Sequence, residues 1–310
     1  MTRRSPPSDL EPLAAVVQRL GVLLAAGVAP ASAWGYVAEA ARGSAAAGAR
    51  EVAAAARGGG SIAEAIVAVA ESHHADSTAW RGLAAAWLVA NDAGAPLAAT
   101  LAELAASLRA LAQNRRDLVT ALAGPAATAR MVMVLPLVGI LFGMALGFDS
   151  LRILFTTPTG LACLALGVVL MLLAQFWNRG LLRRAAPTSL TPGLALDLMA
   201  IAVSGGASLR RAQQAVSDAR ATCRIAPDGS EPAIADVLEL SRRAGIPAAA
   251  LLRSEATEAR RAARSAGERR AATLAVTLML PLGVCILPAF MVLAVAPLLI
   301  AVVSSTVTGV

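Results

Sequence analysis

The chain has 310 residues and a formal net charge of +7; 57% of its residues are hydrophobic and only 3% are aromatic. Globular domains use about 45–50% apolar residues, so this composition excludes an ordinary soluble domain, and its excess of helix-forming alanine and leucine predicts an all-α membrane protein. All 27 basic residues are arginine, which excludes P-loop lysine, Schiff-base and Ser–Lys chemistry.

Residues 10–129, behind a short tail at 1–9, are predicted to form a helical module. Apolar periodicity and the Gly and Pro positions predict helices near 10–26, 30–42, 45–57, 61–72, 77–92 and 96–122. Gly27 and Gly94 stand where helices should end, as residues free to adopt positive φ. Pro30 and Pro96 suit the first turn of the helix that follows.

The stretch RLGVLLAAGVAPASAWG, residues 19–35, has two interpretations. Its apolar run leads to Ala31-Ser32-Ala33, which is similar to a signal-peptidase site. The same pattern recurs in mid-chain at 198–214, where no signal peptidase substrate can lie. We therefore interpret it as a first helix, a turn at Gly27 and the start of a second helix.

Three stretches are long and apolar enough to cross a bilayer, which takes about 20 residues. The predicted spans are 130–148, 157–177 and 273–303, with a short external loop at 149–156 and an external C-terminus at 304–310. The third stretch is longer than one span needs, so we expect one tilted or kinked helix. Proline removes a helical hydrogen bond, and the predicted kinks are Pro136, Pro281, Pro288 and Pro297.

Arginine positions predict the orientation in the membrane. Clusters precede the first span, follow the second and precede the third, whereas nothing charged follows the third. The positive-inside rule then places the residues before the first span and residues 178–272 in the cytoplasm. No ionisable residue lies inside a span, which disfavours an ion-coupled carrier.

Residues 178–272 are predicted to form a second, shortened copy of the first module. Helices are expected near 192–204, 207–222, 231–243 and 247–272, with turns at Gly206 and Gly245. An offset of 179 residues places Gly27 over Gly206, and AGAPLAA at 93–99 matches AGIPAAA at 244–250. The second copy is shorter mainly opposite 43–75, so we expect it to lack two of the six helices.

Two sequence segments resemble those of a known family: LAAAWLVANDAGAPLAATLAELAASLR at 83–109 and LPLGVCILPAFMVLAVAPLL at 280–299. With the order module, span, loop, span, module, span, they resemble the type II secretion F / type IV pilus platform family, which includes GspF and PilC. They are especially similar to TadB and TadC proteins of tight-adherence pili. Two modules in one chain are nearer to the GspF/PilC arrangement.

The resemblance implies a non-enzymatic platform protein of the cytoplasmic (inner) membrane, without a cofactor. The implied partners are a hexameric secretion ATPase, pilin or pseudopilin subunits, membrane lipids, and a TadB/TadC-like paralogue or a second copy of the chain. Motion of the ATPase would pass through the modules to pilins leaving the bilayer. The alternative function is a small membrane permease or transporter component.

The sequence predicts no catalytic, metal or cofactor site, and nucleic acid is not an expected partner because no recognised binding motif occurs. His73 and His74 are adjacent and have no metal-ligand spacing around them. Two charged groups are candidates for partner contact or for setting topology, and both interpretations stay open. They are Arg115, Arg116 and Asp117 before the first span, and Arg260, Arg261 and Arg264 before the third.

Overall fold

The structure is a computed structural model that describes residues 10–72, 77–145, 155, 157–185, 192–297 and 299. In these residues all regular secondary structure is helical, as the composition predicts. The first six helices are α1 Leu10–Ala25, α2 Pro30–Ala40, α3 Ala45–Arg57, α4 Ile62–Ser72, α5 Ser77–Ala93 and α6 Leu97–Ala145. Five of them match the predicted bounds to within two residues.

The sixth helix differs from the prediction, because α6 continues without a break past residue 122 to Ala145. Gly124, Pro125 and Pro136, the last of which is a predicted kink, lie within this helix. Proline is tolerated in a long apolar helix where the freed carbonyl finds another partner. The predicted first span, 130–148, therefore begins inside α6, and its last residues lie outside the described part of the chain.

The second half continues with helices that match the predicted second copy. These are α8 Leu194–Ser204, α9 Leu209–Thr222, α10 Glu231–Ala244 and α11 Ala248–Thr277; they follow α7 Pro158–Ala185, which contains the predicted second span from residue 158 onward. After α11 the chain passes through a turn at Met279–Pro281, a π-helical segment at Leu282–Ile286, a helical turn at Leu287–Phe290 and a second π-helical segment at Met291–Val295.

Contacts divide the chain into two compact units. Unit 1 comprises Met1–Arg116 and Thr188–Ser265, and unit 2 comprises Asp117–Pro187 and Ala266–Val310. Both predicted cytoplasmic modules supply residues to a common core in unit 1. The two copies of the repeat are therefore packed as one body within this unit.

Helix α5 lies at the centre of the unit 1 core. It packs against α4 of its own copy and against α8 and α9 of the second copy. Trp87 on α5 meets the buried Trp34 of α2, with ring centroids 6.2 Å apart and planes inclined at 47°. Full burial of a large apolar side chain contributes about 1.5–3 kcal/mol. Because α5 buries such side chains against helices of both copies, its packing stabilises the whole of unit 1.

Leu20 and Ala33 are also fully buried in this core. Both belong to the stretch at 19–35, whose apolar run forms α1 and whose Ala31-Ser32-Ala33 lies in α2. This packing is what the interpretation as two domain helices predicts.

Two glycines in unit 1 allow helices to approach closely. A Cβ atom on Gly48 of α3 would lie 2.6 Å from Val69 Cγ1 and 2.8 Å from Trp80 Cζ2. A Cβ atom on Gly205, at the end of α8, would collide with the Ala93 carbonyl and lie 2.9 Å from the Ala95 nitrogen. The end of α8 therefore packs directly on the backbone of the α5–α6 turn.

Unit 2 contains a close helix pair formed by α7 and the segments at 279–295. A Cβ atom on Gly167 of α7 would lie 2.6 Å from Leu293 Cδ2, so a side chain at this position would require the Leu293 side chain to shift. Ala174, Cys285 and Ile286 form a small buried cluster between the two helices. Small residues at such contacts are typical of helices packed within a bilayer.

Two helices of the described chain are long and apolar enough to cross a membrane, namely Pro158–Leu181 and Ala248–Leu293. The first includes most of the predicted span at 157–177, and the second runs through the start of the predicted span at 273–303.

The prolines of the last span are associated with the two π-helical segments. Each segment ends two residues before a proline, Pro288 after Leu282–Ile286 and Pro297 after Met291–Val295. Pro281 closes the helical turn at Met279–Pro281. Proline cannot donate to the carbonyl four residues before it, so a local change from i+4 to i+5 bonding is the physical result.

Candidate functional site

A partly buried ion pair joins α8 to α11 in unit 1. Asp197 Oδ2 accepts a hydrogen bond from Arg260 Nη1 at 2.6 Å, and the two side chains are only 22% and 18% exposed. The Ser107 hydroxyl of α6 lies 3.5 Å from the same carboxylate oxygen. Arg260 Nη2 also donates to Thr257 Oγ1 at 3.3 Å.

A second, more exposed pair joins α11 to α6. Arg253 Nε donates to the Glu103 carboxylate at 2.9 Å, about two turns of α11 from Arg260. The two pairs together attach α11 to both α6 and α8. We name these four side chains, Glu103, Asp197, Arg253 and Arg260, the α11 clamp.

Burial sets the electrostatics of the α11 clamp. It raises the pKa of the Asp197 carboxyl, and this loss of hydration outweighs the charge and hydrogen bond of Arg260, which lower it. The nearby Glu103 charge raises the pKa further, and the Ser107 hydroxyl lowers it. The pair therefore does not fully offset the cost of removing its charges from water, as is common for buried salt bridges.

The structure separates the three predicted arginines of α11. Arg260 points into unit 1 and pairs with Asp197. Arg261 is exposed and pairs with Glu258 one turn earlier at 3.6 Å, and Arg264 is exposed. Arg260 is thus an internal residue of the unit, and Arg261 and Arg264 are the two that a partner can reach.

The charged residues near the end of the first module belong to α6. Arg116 pairs with Glu11 of α1 and donates to Gln113 Oε1 at 2.6 Å. Arg115 and Asp117 are half-buried. Arg116 therefore attaches α1 to α6.

The four predicted turn glycines all adopt positive φ. Gly27 has φ +83° and its counterpart Gly206 has +81°; Gly94 has +66° and its counterpart Gly245 has +67°. A Cβ atom on any of them would meet no other atom within 4 Å, so the requirement is conformational rather than steric. The two copies thus share turn geometry at matched positions, and Pro96 and Pro247 directly precede α6 and α11.

A cavity of about 460 Å³ lies between α9 and α10. Its lining residues are Met199, Gln213, Val216, Ser217, Arg220, Ile225, Pro227, Glu231, Ile234 and Ala235. In the first copy, the corresponding helices α2 and α5 are connected by α3, which packs on α2, and α4, which packs on α5. The second copy has only a short connection from α9 to α10 and has no helices that correspond to α3 and α4.

Two replacements place polar side chains in the lining of this mainly apolar cavity. The positions of the buried Trp34 and Trp80 are taken in the second copy by Gln213 and Glu231. Glu231 pairs with Arg220 at 3.0 Å. The Glu231 backbone hydrogen bond and then Arg220 lower the pKa of the Glu231 carboxyl, so it is ionised at neutral pH.

In the described part of the chain no three His, Cys, Asp or Glu side chains are grouped as metal ligands. His73 and His74 lie outside that part. Sequence reasoning missed Asp197, Glu103 and Arg253. A signal for Asp197 was available, because it is the only charged residue of the apolar helix LALDLMAIAVS, and a buried charge needs a partner.

Residues 16–145 match the family model for Type II secretion system (T2SS), protein F. The match covers most of α1 and all of α2 to α6, so this part of the chain is similar to the T2SS F-type domain. No curated protein and no solved structure matches the chain.

Proposed function

We propose that the protein is an inner-membrane platform of a Tad-type pilus or type II secretion-like machine, which couples a cytoplasmic secretion ATPase to pilin assembly or export. The family match at 16–145 carries this proposal. The two long apolar helices support it, since Phe176, Val276 and Met279 on them are exposed. Large apolar side chains at a helix surface are favourable in lipid and unfavourable in water.

The α11 clamp suggests how force would be transmitted. Helices α6 and α11 each supply residues to both unit 1 and unit 2. In the proposed mechanism the ATPase engages unit 1, and the two ion pairs make α6 and α11 move together with α8. The displacement then reaches the spans that contact pilin helices.

The proposed partners are the hexameric ATPase, pilin or pseudopilin subunits, membrane lipids, and a TadB/TadC-like paralogue or a second copy of the chain. Arg261 and Arg264 are the exposed candidates for contact with the ATPase or with lipid headgroups. The proposal includes no cofactor and no enzymatic activity.

Co-purification tests the proposed function. The full chain, solubilised in detergent, is expected to retain its cognate secretion ATPase, whereas an unrelated multi-pass protein in the same detergent is not. Deletion of the gene, where it is present in single copy, is expected to abolish pilus assembly or secretion. Intact assembly after clean deletion would contradict the proposal.

Reporter fusions test the proposed orientation. Because arginines flank the cytoplasmic ends of the spans, a reporter after Gly124 or Ala271 is expected to show cytoplasmic activity. A reporter near Ser150 is expected to show external activity, as is one fused at the C-terminus. An external signal after Ala271 would reverse the assignment of the third span.

A further inference from the structure

The two copies of the repeat differ in how much of one matched helix is covered. Helix α5 is buried along most of its length, whereas its counterpart α10 has only Val237 and Leu238 buried. The alignment that places Gly94 over Gly245 matches Val89, which is 0% exposed, with Leu240, which is 53% exposed. Helix α10 therefore exposes an apolar side chain, Leu240, at a position whose counterpart in the first copy, Val89, is buried.

The face of α5 that contains Val89 is covered by α8 of the second copy, and the two helices run parallel. A Cβ atom on Gly82 would lie 3.7 Å from Leu194 Cδ2, near the start of both helices. The contact of Gly205 with Ala93 lies at the end of both. Residues three or four apart share a helix face, so Gly82, Ala85, Val89 and Ala93 of α5 face Leu194, Leu198, Ile201 and Gly205 of α8.

The repeat assigns a counterpart to each of these two faces. The counterparts of the α5 face are Ala233, Asp236, Leu240 and Ala244, which we name the α10 stripe. The counterparts of the α8 face are Ala15, Arg19, Val22 and Ala26, which we name the α1 stripe.

Both stripes are largely exposed, with only Ala15 and Ala233 half-buried. Ile201 is 4% exposed on α8, but its counterpart Val22 is 58% exposed on α1. Asp236 and Ala244 are exposed on α10, and Arg19 and Ala26 are exposed on α1. The α10 stripe thus corresponds to the α5 side of the α5–α8 contact, and the α1 stripe corresponds to the α8 side. Each chain therefore carries one exposed surface of each kind.

We propose that the α10 stripe of one chain packs in parallel on the α1 stripe of a second copy, in the register of α5 on α8. That register brings Asp236 beside Arg19. The internal contact has the apolar residues Ala85 and Leu198 at these places, so the contact between chains gains a complementary charge pair. Opposite charges at an interface fix its register and its choice of partner.

Tyr36 enlarges the receiving surface. It is exposed on α2, and the residue at the matching position of α9, Ala215, is buried. Helix α9 is the other helix of the second copy on which α5 packs. The receiving surface between chains therefore comprises α1 and α2, as α8 and α9 do within the chain.

The proposed contact is head-to-tail, because its two surfaces are different parts of the same chain. Such a contact generates rings when the rotation between copies closes and open chains when it does not. The inference specifies how a second copy, which is one of the proposed partners, binds; it does not depend on the proposed function, because it uses only the repeat and the exposure of matched residues. It is tested without the ATPase or pilin.

Cross-linking between two differently tagged forms of the full chain tests the inference. In a background with Cys163, Cys223 and Cys285 changed to alanine, one form carries V22C and the other carries L240C. When the two are co-expressed and treated with a short bifunctional thiol reagent, a mixed dimer is expected. Each form expressed alone is expected to give no dimer. The control is A54C paired with L240C, because Ala54 is exposed on α3 and belongs to neither stripe.

Charge reversal gives a second readout. R19D and D236R are each expected to lower the oligomeric mass of the detergent-purified chain by at least twofold, and the double variant is expected to restore it. Circular dichroism checks that every variant remains helical. A monomeric wild-type chain, unchanged mass in both single variants, or a V22C form that cross-links to itself would overturn the inference. So would cross-linking of L240C in native membranes to a different protein alone.

Discussion

Replacing Asp197 with leucine is expected to destabilise unit 1 by about 3 kcal/mol, because it leaves the Arg260 guanidinium largely buried without its partner. Replacing both residues, as D197L/R260M, is expected to restore stability to within about 1 kcal/mol of the wild type, since an apolar pair of similar volume removes both desolvation costs. Denaturant unfolding of the full chain in detergent, analysed as a double-mutant cycle, measures both effects.

The matched control is R261M, which breaks the exposed pair of Arg261 with Glu258 on the same helix. Exposed pairs contribute about 0–1 kcal/mol, so this change is expected to be small. If D197L is no more destabilising than R261M, the α11 clamp does not depend on the buried pair. A stable double variant that fails in pilus assembly or secretion would assign the pair to force transmission instead.

The raised pKa of Asp197 also gives the direction of its pH dependence. The folded state holds this proton more tightly than the unfolded state, whose carboxyl titrates near the ordinary value of 3.8. The contribution of Asp197 to the free energy of unfolding is therefore largest below pH 3.8. It falls as the pH rises from there through the raised pKa of the folded state. In D197L/R260M this part of the pH dependence is expected to disappear.

Replacing Gly205 with alanine is expected to cost about 3 kcal/mol, at the upper end for overpacking. The new methyl group would collide with the Ala93 carbonyl and lie 2.7 Å from its carbon. These are backbone atoms of the α5–α6 turn, so relief requires α8 to move away from α5. Thermal unfolding in detergent measures the loss, and protease sensitivity of α8 reports the displacement.

Gly58 provides a closely matched control for this change. It ends α3 with φ −78° and ψ 3°, and Gly205 ends α8 with φ −76° and ψ 0°. Each is followed by a glycine of positive φ, Gly59 and Gly206. A Cβ atom on Gly58 would meet its nearest neighbour at 3.4 Å, an ordinary contact. G58A should therefore cost little, and equal losses for G58A and G205A would contradict the steric explanation.

Local structure was predictable from the sequence because glycine and proline mark the ends of most helices. Gly27, Gly94, Gly206 and Gly245 have no steric restriction, only a need for positive φ, and that need is visible in the residue type itself. The helix end expected near residue 122 was wrong because helix continuity there depends on the whole of α6, whose apolar half belongs to unit 2. Local signals do not include that environment.

Long-range pairing was not predictable in the same way. Asp197 and Arg260 are 63 residues apart, and several arginines surround Arg260 in the sequence. Periodicity cannot choose which of them points inward, because that depends on where α11 crosses α8. The burial of α5 on several sides was equally hidden, since half of its cover comes from the second copy, which the sequence presents as a separate module.

The two π-helical segments change which side chains of the last span lie on the same side of the helix. An α-helix turns by about 100° per residue, and a π-helical turn holds one residue more than an α-helical turn within nearly the same rise. After Leu282–Ile286 the side chains are therefore displaced by about 100° around the axis from a regular helical wheel, and after Met291–Val295 by about 200°. A helical wheel drawn through residues 273–297 as a single α-helix therefore places residues that lie on the same side of the span on different sides of the wheel. The lipid-facing and protein-facing surfaces have to be derived separately for the three parts of the span, before, between and after the two π-helical segments.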